Sequence, residues 1–197
     1  MTSATTPPPR TARQLLRRRL LDDRTAFAAG PGLAAAQEAL AKALLPVLAE
    51  LEPQCLGLYW PMRSEFNAPA ACADDVVTAK FLPGLQLALP FTRRTPREMH
   101  YRAWNGQPPT LADECGIATC EGALVVPDVV LAPCVGFTRS GFRLGYGGGY
   151  FDRWMAAHPH VTAVGVAWSV GKVDDATFAA EAHDQPLMLI VTELGVA

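Results

Sequence analysis

The chain has 197 residues, of which 50% are hydrophobic and 18% are charged, with a formal net charge of −2 and a pI near 6.1. This length and apolar content predict one soluble globular domain, and the weak net charge provides no basic footprint for nucleic acid. No apolar run is long enough to span a membrane and the first residues lack a secretory signal, so we expect a cytoplasmic protein without a membrane partner.

The chain opens with a proline-rich segment, 1–10, which we interpret as a disordered lead-in to a single domain over residues 11–197. Two amphipathic helices follow, Thr11 to Ala28 and a second that begins near Leu33, separated by the break Gly30-Pro31-Gly32. The first helix is expected to bury Leu15, Leu16, Leu20 and Phe27. Its arginines, Arg13, Arg17, Arg18 and Arg19, are most simply explained as a solvated face.

Strand-like and helical segments alternate along the rest of the chain. Strands are predicted at Cys55–Trp60, at Leu85–Leu89 with an end at Pro90, and later at 128–132, 161–168 and 186–192. An element of alternating polarity covers Met99–Trp104, and helices are predicted at 70–81 and 150–157. This order predicts an α/β fold with three layers, in which helices flank a mostly parallel sheet on both faces.

Polar and aromatic residues follow several of these elements, and we expect their loops to face one cleft. Ligands of such folds gather at the carboxyl ends of the strands. A flat heteroaromatic ligand could stack on Trp60, Trp104 or Tyr146, with Glu65 accepting hydrogen bonds from it. Taken singly, each tryptophan is better explained as an ordinary core aromatic, and the alternative for Glu65 is a solvated loop acid.

The segment from Gly141 to Arg153 carries three consecutive glycines, Gly147–Gly149, before the predicted helix 150–157. Glycines there allow a positive φ and a close approach of backbone amides to an anion, and a helix start adds free N–H donors. Arg143 could bind the same phosphate, and Asp152 could hold a magnesium ion. The alternatives are a tight turn without a ligand and an acid that favours the first turn through the helix dipole.

Spacing does not specify which anion binds. A Walker loop would need Gly-Lys after its fourth spacer residue, and a dinucleotide fingerprint would need a different glycine spacing near the first strand. The glycine segment therefore indicates an anion site of unspecified type.

Taken together and in order, the motifs resemble the 5-formyltetrahydrofolate cyclo-ligase family, also called methenyltetrahydrofolate synthetases. The resemblance covers residues 11–193 and rests on segments 58–65, 99–104, 128–133, 141–153, 183–186 and 191–193. It implies a three-layer α/β enzyme that uses magnesium and ATP to convert 5-formyltetrahydrofolate into 5,10-methenyltetrahydrofolate, with ADP and phosphate as the other products. It also implies a small-molecule substrate, and we expect a monomer.

The resemblance also assigns roles to residues. ATP is expected to contact Arg13, Arg17, Arg143, Leu144, Gly145, Tyr146, Gly147, Gly148, Gly149, Tyr150 and Phe151. The folate is expected to contact Trp60, Glu65, Trp104 and Tyr146 through Tyr150, with catalysis assigned to Arg143, Tyr146, Gly148 and Tyr150. Asp152 and Asp184 are expected to hold magnesium, with His183 orienting the loop of Asp184. Arg13 stands where the family usually has lysine.

A second hypothesis comes from a different functional class. The chain could be a non-catalytic relative that binds folate or nucleotide with the same fold. Arg143, the glycines, Asp152, Glu65 and Asp184 are all present, which favours the enzyme.

Overall fold

The computed structural model describes residues 11–72, 84–178, 180–181 and 184–197. The predicted lead-in at 1–10, the predicted helix beyond Cys72 and His183 lie outside the described residues.

Two helices lead the described chain, as predicted: α1 spans Ala12–Ala28 and α2 spans Leu33–Leu51. A capping box starts α1, because the Thr11 side chain accepts from the Gln14 amide while the Gln14 side chain accepts from the Thr11 amide. Among the described residues, no single helix is long and apolar enough to cross a membrane; α1 and α2 meet that condition only as a pair bent by 107°.

The buried face of α1 differs from the predicted one at Leu15, which is 56% exposed. The buried face runs through Leu16, Leu20 and Arg24, four residues apart, and Leu15 lies about 100° to the side of that stripe. Leu20 joins a small apolar cluster whose other buried members are Val135, Leu144, Val173 and Phe178.

Twelve strands, two more α-helices and one 3₁₀ turn, Ser169–Gly171, follow in the described chain. The helices are α3, described over Ala68–Cys72, and α4, Tyr150–Ala157, whose bounds match the prediction. The strands are β1 Cys55–Gly57, β2 Gln86–Arg93, β3 Glu98–Trp104, β4 Leu111–Ala112, β5 Ala118–Thr119, β6 Leu124–Val125, β7 Val129–Pro133, β8 Gly136–Phe137, β9 Arg143–Leu144, β10 Thr162–Val166, β11 Leu189–Thr192 and β12 Gly195–Val196.

In the described part of the chain, the main sheet has eight strands in the order β12-β11-β10-β7-β1-β2-β3-β6. The five central strands, β11 to β2 in that order, pair in parallel. The outer pairs β11 with β12, β2 with β3, and β3 with β6 are antiparallel.

Helices cover both faces of this sheet. Leu56, Val129 and Leu131 pack in one cluster with α2, through Leu40, Leu44 and Leu48. Alternate residues of the same strands, such as Cys55 and Val130, pack on the opposite face with Trp154 and Met155 of α4. The predicted three-layer, mostly parallel α/β fold is therefore confirmed.

The structure corrects the end of one predicted strand and gives the direction of another. Strand β2 continues through Pro90 to Arg93 instead of ending at the proline. Because β1 pairs with β2 only as far as Gly57 and Ala88, the missing Pro90 amide interrupts no ladder on that side. Strand β3 runs antiparallel to β2, which places Trp104 opposite Leu87 near the start of β2.

Candidate active site

A cavity of about 380 Å³ opens beside the carboxyl ends of β1 and β7 and the first turn of α4. It lies where the α/β topology predicts a ligand site. The structure brings most of the predicted site residues to this one cavity. Those on its wall are Arg13, Arg17, Trp60, Glu65, Arg143, Gly145, Tyr146, Gly147, Gly148, Gly149, Tyr150, Phe151, Asp152 and Asp184.

Two predicted contact residues, Leu144 and Trp104, lie outside the described part of the cavity wall. The Leu144 side chain is fully buried in the small apolar cluster that contains Leu20 of α1. Its carbonyl accepts a hydrogen bond of 2.8 Å from the Val135 amide. Antiparallel β3 places Trp104 opposite Leu87, near the start of β2, and its ring meets Trp60 edge-on at 6.1 Å between ring centroids. Trp104 thus contacts Trp60, which lines the cavity, and is not itself among the described lining residues.

The glycine loop needs the backbone freedom of glycine at two positions. Gly147 and Gly149 have φ values of 94° and 63°, and Gly149 is the N-cap residue of α4. A Cβ atom on Gly147 would lie 3.3 Å from the guanidinium carbon of Arg17. The loop and the first turn of α4, with Tyr150 and Asp152, thus form one side of the cavity, where helix amides lack helix acceptors.

Arg13 and Asp184 form a forked ion pair on the same side. Arg13 Nη1 and Nη2 donate to Asp184 Oδ2 and Oδ1 at 2.8 and 2.7 Å, and the Asp184 side chain is 3% exposed. The hydrogen bond to Asp184 is the main cause that raises the pKa of Arg13 above its ordinary value. Glu181 Oε1 lies 3.4 Å from Arg13 Nη1, so acids surround this arginine.

Of the described arginines on the cavity wall, Arg17 has the fewest carboxylates close to its guanidinium. Its Nε donates to the Gly145 carbonyl at 2.7 Å, and no described carboxylate lies within 4 Å of its guanidinium. Burial lowers its pKa, and the neighbouring charge of Arg13 lowers it further, although an arginine remains charged at neutral pH. Such a cation beside a glycine loop is suited to an incoming anion.

Arg143 and Asp152 form a second arginine–carboxylate pair. Arg143 lies on β9, is 5% exposed, and donates from Nη2 to Asp152 Oδ2 at 3.1 Å. Its guanidinium carbon lies 5.2 Å from the Phe151 ring centroid, within cation–π range. In the described residues, Arg143 Nε is buried without a hydrogen-bond partner, so the arginine retains donor capacity.

Glu65 provides the acid of the opposite wall. Its Oε2 accepts from the Met62 amide at 2.8 Å, and its side chain is 3% exposed. Burial raises the pKa of Glu65, whereas the Met62 hydrogen bond and the charge of Arg24 act in the opposite direction. Trp60 lines the cavity next to this acid, so a flat ring can meet an aromatic surface and a carboxylate together.

Tyr150 is held at the junction of the two walls. Its hydroxyl donates to the Arg93 carbonyl at 3.0 Å and lies 3.1 Å from Cys115 Sγ. A Cβ on Gly148 would lie 2.8 Å from the Tyr150 ring, so a side chain at position 148 would displace that ring.

Sequence reasoning missed Arg24, which is 3% exposed and donates to the Tyr146 hydroxyl. The available signal was its helical spacing: Arg13, Arg17 and Arg24 project from nearly the same side of α1. The arginine cluster is therefore divided, since Arg18 and Arg19 are exposed and pair with acids one turn later, at Asp22 and Asp23.

Asp152 and Asp184 provide the oxygen donors expected for magnesium. Within the described residues no group of three or more His, Cys, Asp or Glu side chains could hold a metal ion. Magnesium commonly binds through one or two carboxylates together with substrate phosphates. The two carboxylates therefore fit a magnesium ion that is also coordinated by nucleotide phosphates. They do not fit a site in which protein side chains alone provide every ligand.

Comparisons with known proteins agree with this geometry. The sequence model of the 5-formyltetrahydrofolate cyclo-ligase family matches residues 9–193. A 5-formyltetrahydrofolate cyclo-ligase from Mycoplasma pneumoniae (strain ATCC 29342 / M129 / Subtype 1) is 39% identical over 67 residues, which make up 34% of this chain and 39% of that protein. The aligned segment thus spans well under two thirds of that relative.

Solved structures with the same fold include a 5,10-methenyltetrahydrofolate synthetase from Mycoplasma pneumoniae, with a TM-score of 0.72 and 21% identity over 93% of this chain and 99% of that one. The Aquifex aeolicus 5,10-methenyltetrahydrofolate synthetase gives a TM-score of 0.68 and 25% identity over 94% of this chain and 92% of that one. The resemblance drawn from the motifs is confirmed by the family match over nearly the whole sequence: the chain belongs to the 5-formyltetrahydrofolate cyclo-ligase family.

Proposed function

We propose that the protein catalyses the ATP- and magnesium-dependent cyclisation of 5-formyltetrahydrofolate to 5,10-methenyltetrahydrofolate, with release of ADP and phosphate. The observation that carries this proposal is the meeting of two chemically different walls in one cavity. The glycine loop with Arg17 and Arg143 is suited to phosphates, while Trp60 and Glu65 are suited to a flat ring with N–H donors.

The proposed chemistry explains why the cavity needs both walls. The formyl oxygen attacks the γ-phosphorus of ATP and ADP leaves, which turns a poor leaving group into a phosphate ester. Folate N10 then attacks the formyl carbon and loses its proton, and the C–O bond to phosphate breaks. The substrate supplies its own nucleophile, so the protein contributes position and charge stabilisation.

The residues divide these tasks. Arg17 and Arg143 offset the negative charge of the phosphates, and the loop Gly147–Gly149 lets the backbone approach them. Trp60 and Glu65 orient the ring so that its formyl oxygen points toward the loop. Tyr150, whose hydroxyl donates to the Arg93 carbonyl, fixes the position of the two ligands relative to each other.

Magnesium would be held by Asp152 and Asp184 together with the phosphates of ATP. It supplies charge neutralisation on the phosphate oxygens. Each of these acids is paired with an arginine, Asp152 with Arg143 and Asp184 with Arg13. A carboxylate for the metal and a guanidinium for the phosphates therefore lie side by side in each pair. We also propose that the protein acts as a monomer on small molecules in the cytoplasm.

The test is a turnover assay. Purified protein is mixed with magnesium, ATP and 5-formyltetrahydrofolate, and the ultraviolet absorbance of the methenyl product is followed over time. Absorbance should rise only when all three are present, and omission of ATP or addition of a chelator should abolish the rise. Binding of both ligands without any product would instead support the non-catalytic relative.

A further inference from the structure

Arg24 is a buried arginine that stands behind the cavity wall. Its Nη2 donates to the Tyr146 hydroxyl, and its Nη1 lies 3.7 Å from Glu65 Oε1. Its guanidinium carbon also lies 5.5 Å from the Tyr146 ring centroid. Glu65 and Tyr146 line the cavity, whereas Arg24 is not among the described lining residues, so it can reach a ligand only through them.

The hydrogen bonding of this cluster is incomplete. Within the described residues, Arg24 Nε, Arg24 Nη1 and Glu65 Oε1 are buried and have no hydrogen-bond partner. A buried ion pair with unsatisfied polar atoms is a poor source of stability, because desolvation opposes the attraction between the charges. A role in stabilising the fold therefore does not explain why both charges are buried at this place.

We propose that Arg24 is a positioning residue for the folate half of the site. It holds Glu65 in the ionised form that accepts N–H donors of the ring, and it fixes Tyr146 of the glycine loop through the same guanidinium. This inference rests on the proposed function, which supplies the ring. It adds a third arginine of α1 to Arg13 and Arg17, so one helix face serves both walls of the cavity.

Arg24 is the buried counter-charge among the groups that face Glu65. Arg63, on the loop of Glu65 itself, is exposed and its charge is screened by solvent. The Met62 amide, which donates to Glu65 Oε2, and the Tyr146 hydroxyl also stabilise the Glu65 anion, but neither carries a charge. Among the described residues, the titratable or charged groups that face Glu65 are Arg24 from α1, Arg63 and Tyr59 from the segment after β1, Cys134 after β7, and Tyr146 from the glycine loop.

The direction of the effect follows from charge. Burial already raises the pKa of Glu65, and removal of the neighbouring cation raises it further. Since only the carboxylate accepts two N–H donors, folate affinity is lost as pH falls through the pKa of Glu65. In an Arg24→Gln variant this loss should begin at a higher pH than in the parent protein.

The first experiment measures the Glu65 carboxyl directly by ¹³C NMR titration of the protein without ligands. We expect the midpoint to rise by about one pH unit or more in Arg24→Gln and to stay near the parent value in Arg24→Lys, which keeps the charge. The control is Arg19→Gln, the same change at an exposed position of α1. An unchanged midpoint in folded Arg24→Gln overturns the proposal.

The second experiment is a double-mutant cycle with Glu65→Gln, followed by the KM for 5-formyltetrahydrofolate and the KM for ATP. Arg24→Gln alone should raise the folate KM about tenfold at the acidic end of the pH range in which the protein stays folded and less at the alkaline end, with a smaller change for ATP. In the Glu65→Gln background the same change should have little further effect on the folate KM. Additive losses, or equal losses for both ligands, overturn the proposal.

These measurements separate the two hypotheses. A parent protein without turnover refutes the proposed function, yet the Glu65 titration still decides the role of Arg24. If Arg24→Gln does not fold, Arg24→Met, which removes the charge but keeps most of the side-chain length, replaces it in both experiments. Thermal unfolding of each variant identifies the folded ones.

Discussion

Arg13 and Asp184 are joined by two hydrogen bonds, of 2.8 and 2.7 Å, although 171 residues separate them in the sequence. The planar guanidinium matches the carboxylate in a fork, which a lysine ammonium at this position could not form. The pair ties the start of α1 to the segment before β11. It thereby closes one side of the cavity.

An Asp184→Asn change should therefore weaken both the fold and the site. The amide keeps the shape of the acid but removes the charge, and Arg13 loses a charge-assisted bond. We expect a loss of about 2 kcal/mol in the free energy of unfolding, measured by urea denaturation. Asp22→Asn, at an exposed acid of α1, should change the free energy of unfolding by less than about 0.5 kcal/mol.

Asp152→Asn should lower turnover by weakening the metal site while leaving the protein folded. Its side chain is partly exposed and contacts Arg143, so the structural effect should be modest. Activity measured over a series of magnesium concentrations should recover in part at high magnesium. Equal activity of parent and variant across the whole series would remove Asp152 from the metal role.

Arg143→Ala should raise the KM for ATP more than the KM for folate. The arginine lies beside the glycine loop and Asp152, so its loss removes a charged donor from the phosphate wall. We expect a change of about tenfold to a hundredfold in the KM for ATP. Arg139→Ala, an exposed arginine between β8 and β9, is the control; a larger effect on folate would place Arg143 on the other wall.

Gly147→Ala should impair nucleotide binding beyond its cost to stability. The residue has a φ of 94°, and the added Cβ would lie 3.3 Å from the Arg17 guanidinium. Gly84→Ala is a matched control, because Gly84 has a φ of 76° and nothing lies within 4 Å of its added Cβ. Both variants should lose about 1–2 kcal/mol of stability, but only Gly147→Ala should raise the KM for ATP.

The cysteines should react with thiol reagents in two groups. Burial raises the pKa of Cys55 to about 11 and the pKa values of Cys72 and Cys134 to about 12. Because the thiolate is the reactive form, these three should stay unlabelled at pH 8 until the protein unfolds. Cys115 and Cys120 are partly exposed and should label first.

Nucleotide should slow the labelling of Cys115, whose Sγ lies 3.1 Å from the Tyr150 hydroxyl. Cys120 should provide the internal control, since it contacts the Ala103 carbonyl instead of the cavity. Mass spectrometry of the labelled peptides distinguishes the two. Equal protection of both thiols would indicate a global change instead of occupancy of the cavity.

Local signals predicted the glycine loop and α4 well. The bounds of α4, Tyr150–Ala157, follow from flexible glycines before a helix-forming segment with Asp152 in its first turn. The five central strands were also found, because each is an apolar run bounded by turn residues. Their order in the sheet, however, depends on contacts that no local pattern contains.

The remaining errors concern features that depend on packing between residues distant in the sequence. A strand looks the same in either direction, so Trp104 was expected beside the carboxyl ends of the parallel strands; because β3 is antiparallel, its last residue, Trp104, lies opposite Leu87 near the start of β2. Strands of two residues, such as β8 and β9, are too short for periodicity to reveal. The burial of Arg24 depends on Glu65 and Tyr146, which only the fold brings to α1.

Strand β1 lies between β2 and β7, and its Leu56 pairs with both Leu87 and Val129. During synthesis on a ribosome, β1 and β2 would emerge before β7. The edge of β1 that pairs with β7 would therefore have no hydrogen-bonding partner until β7 is synthesised. A nascent chain that stalls in this interval would offer an unpaired apolar strand to chaperones and proteases. Protection from digestion should therefore appear abruptly, late in synthesis, once β7 has been inserted.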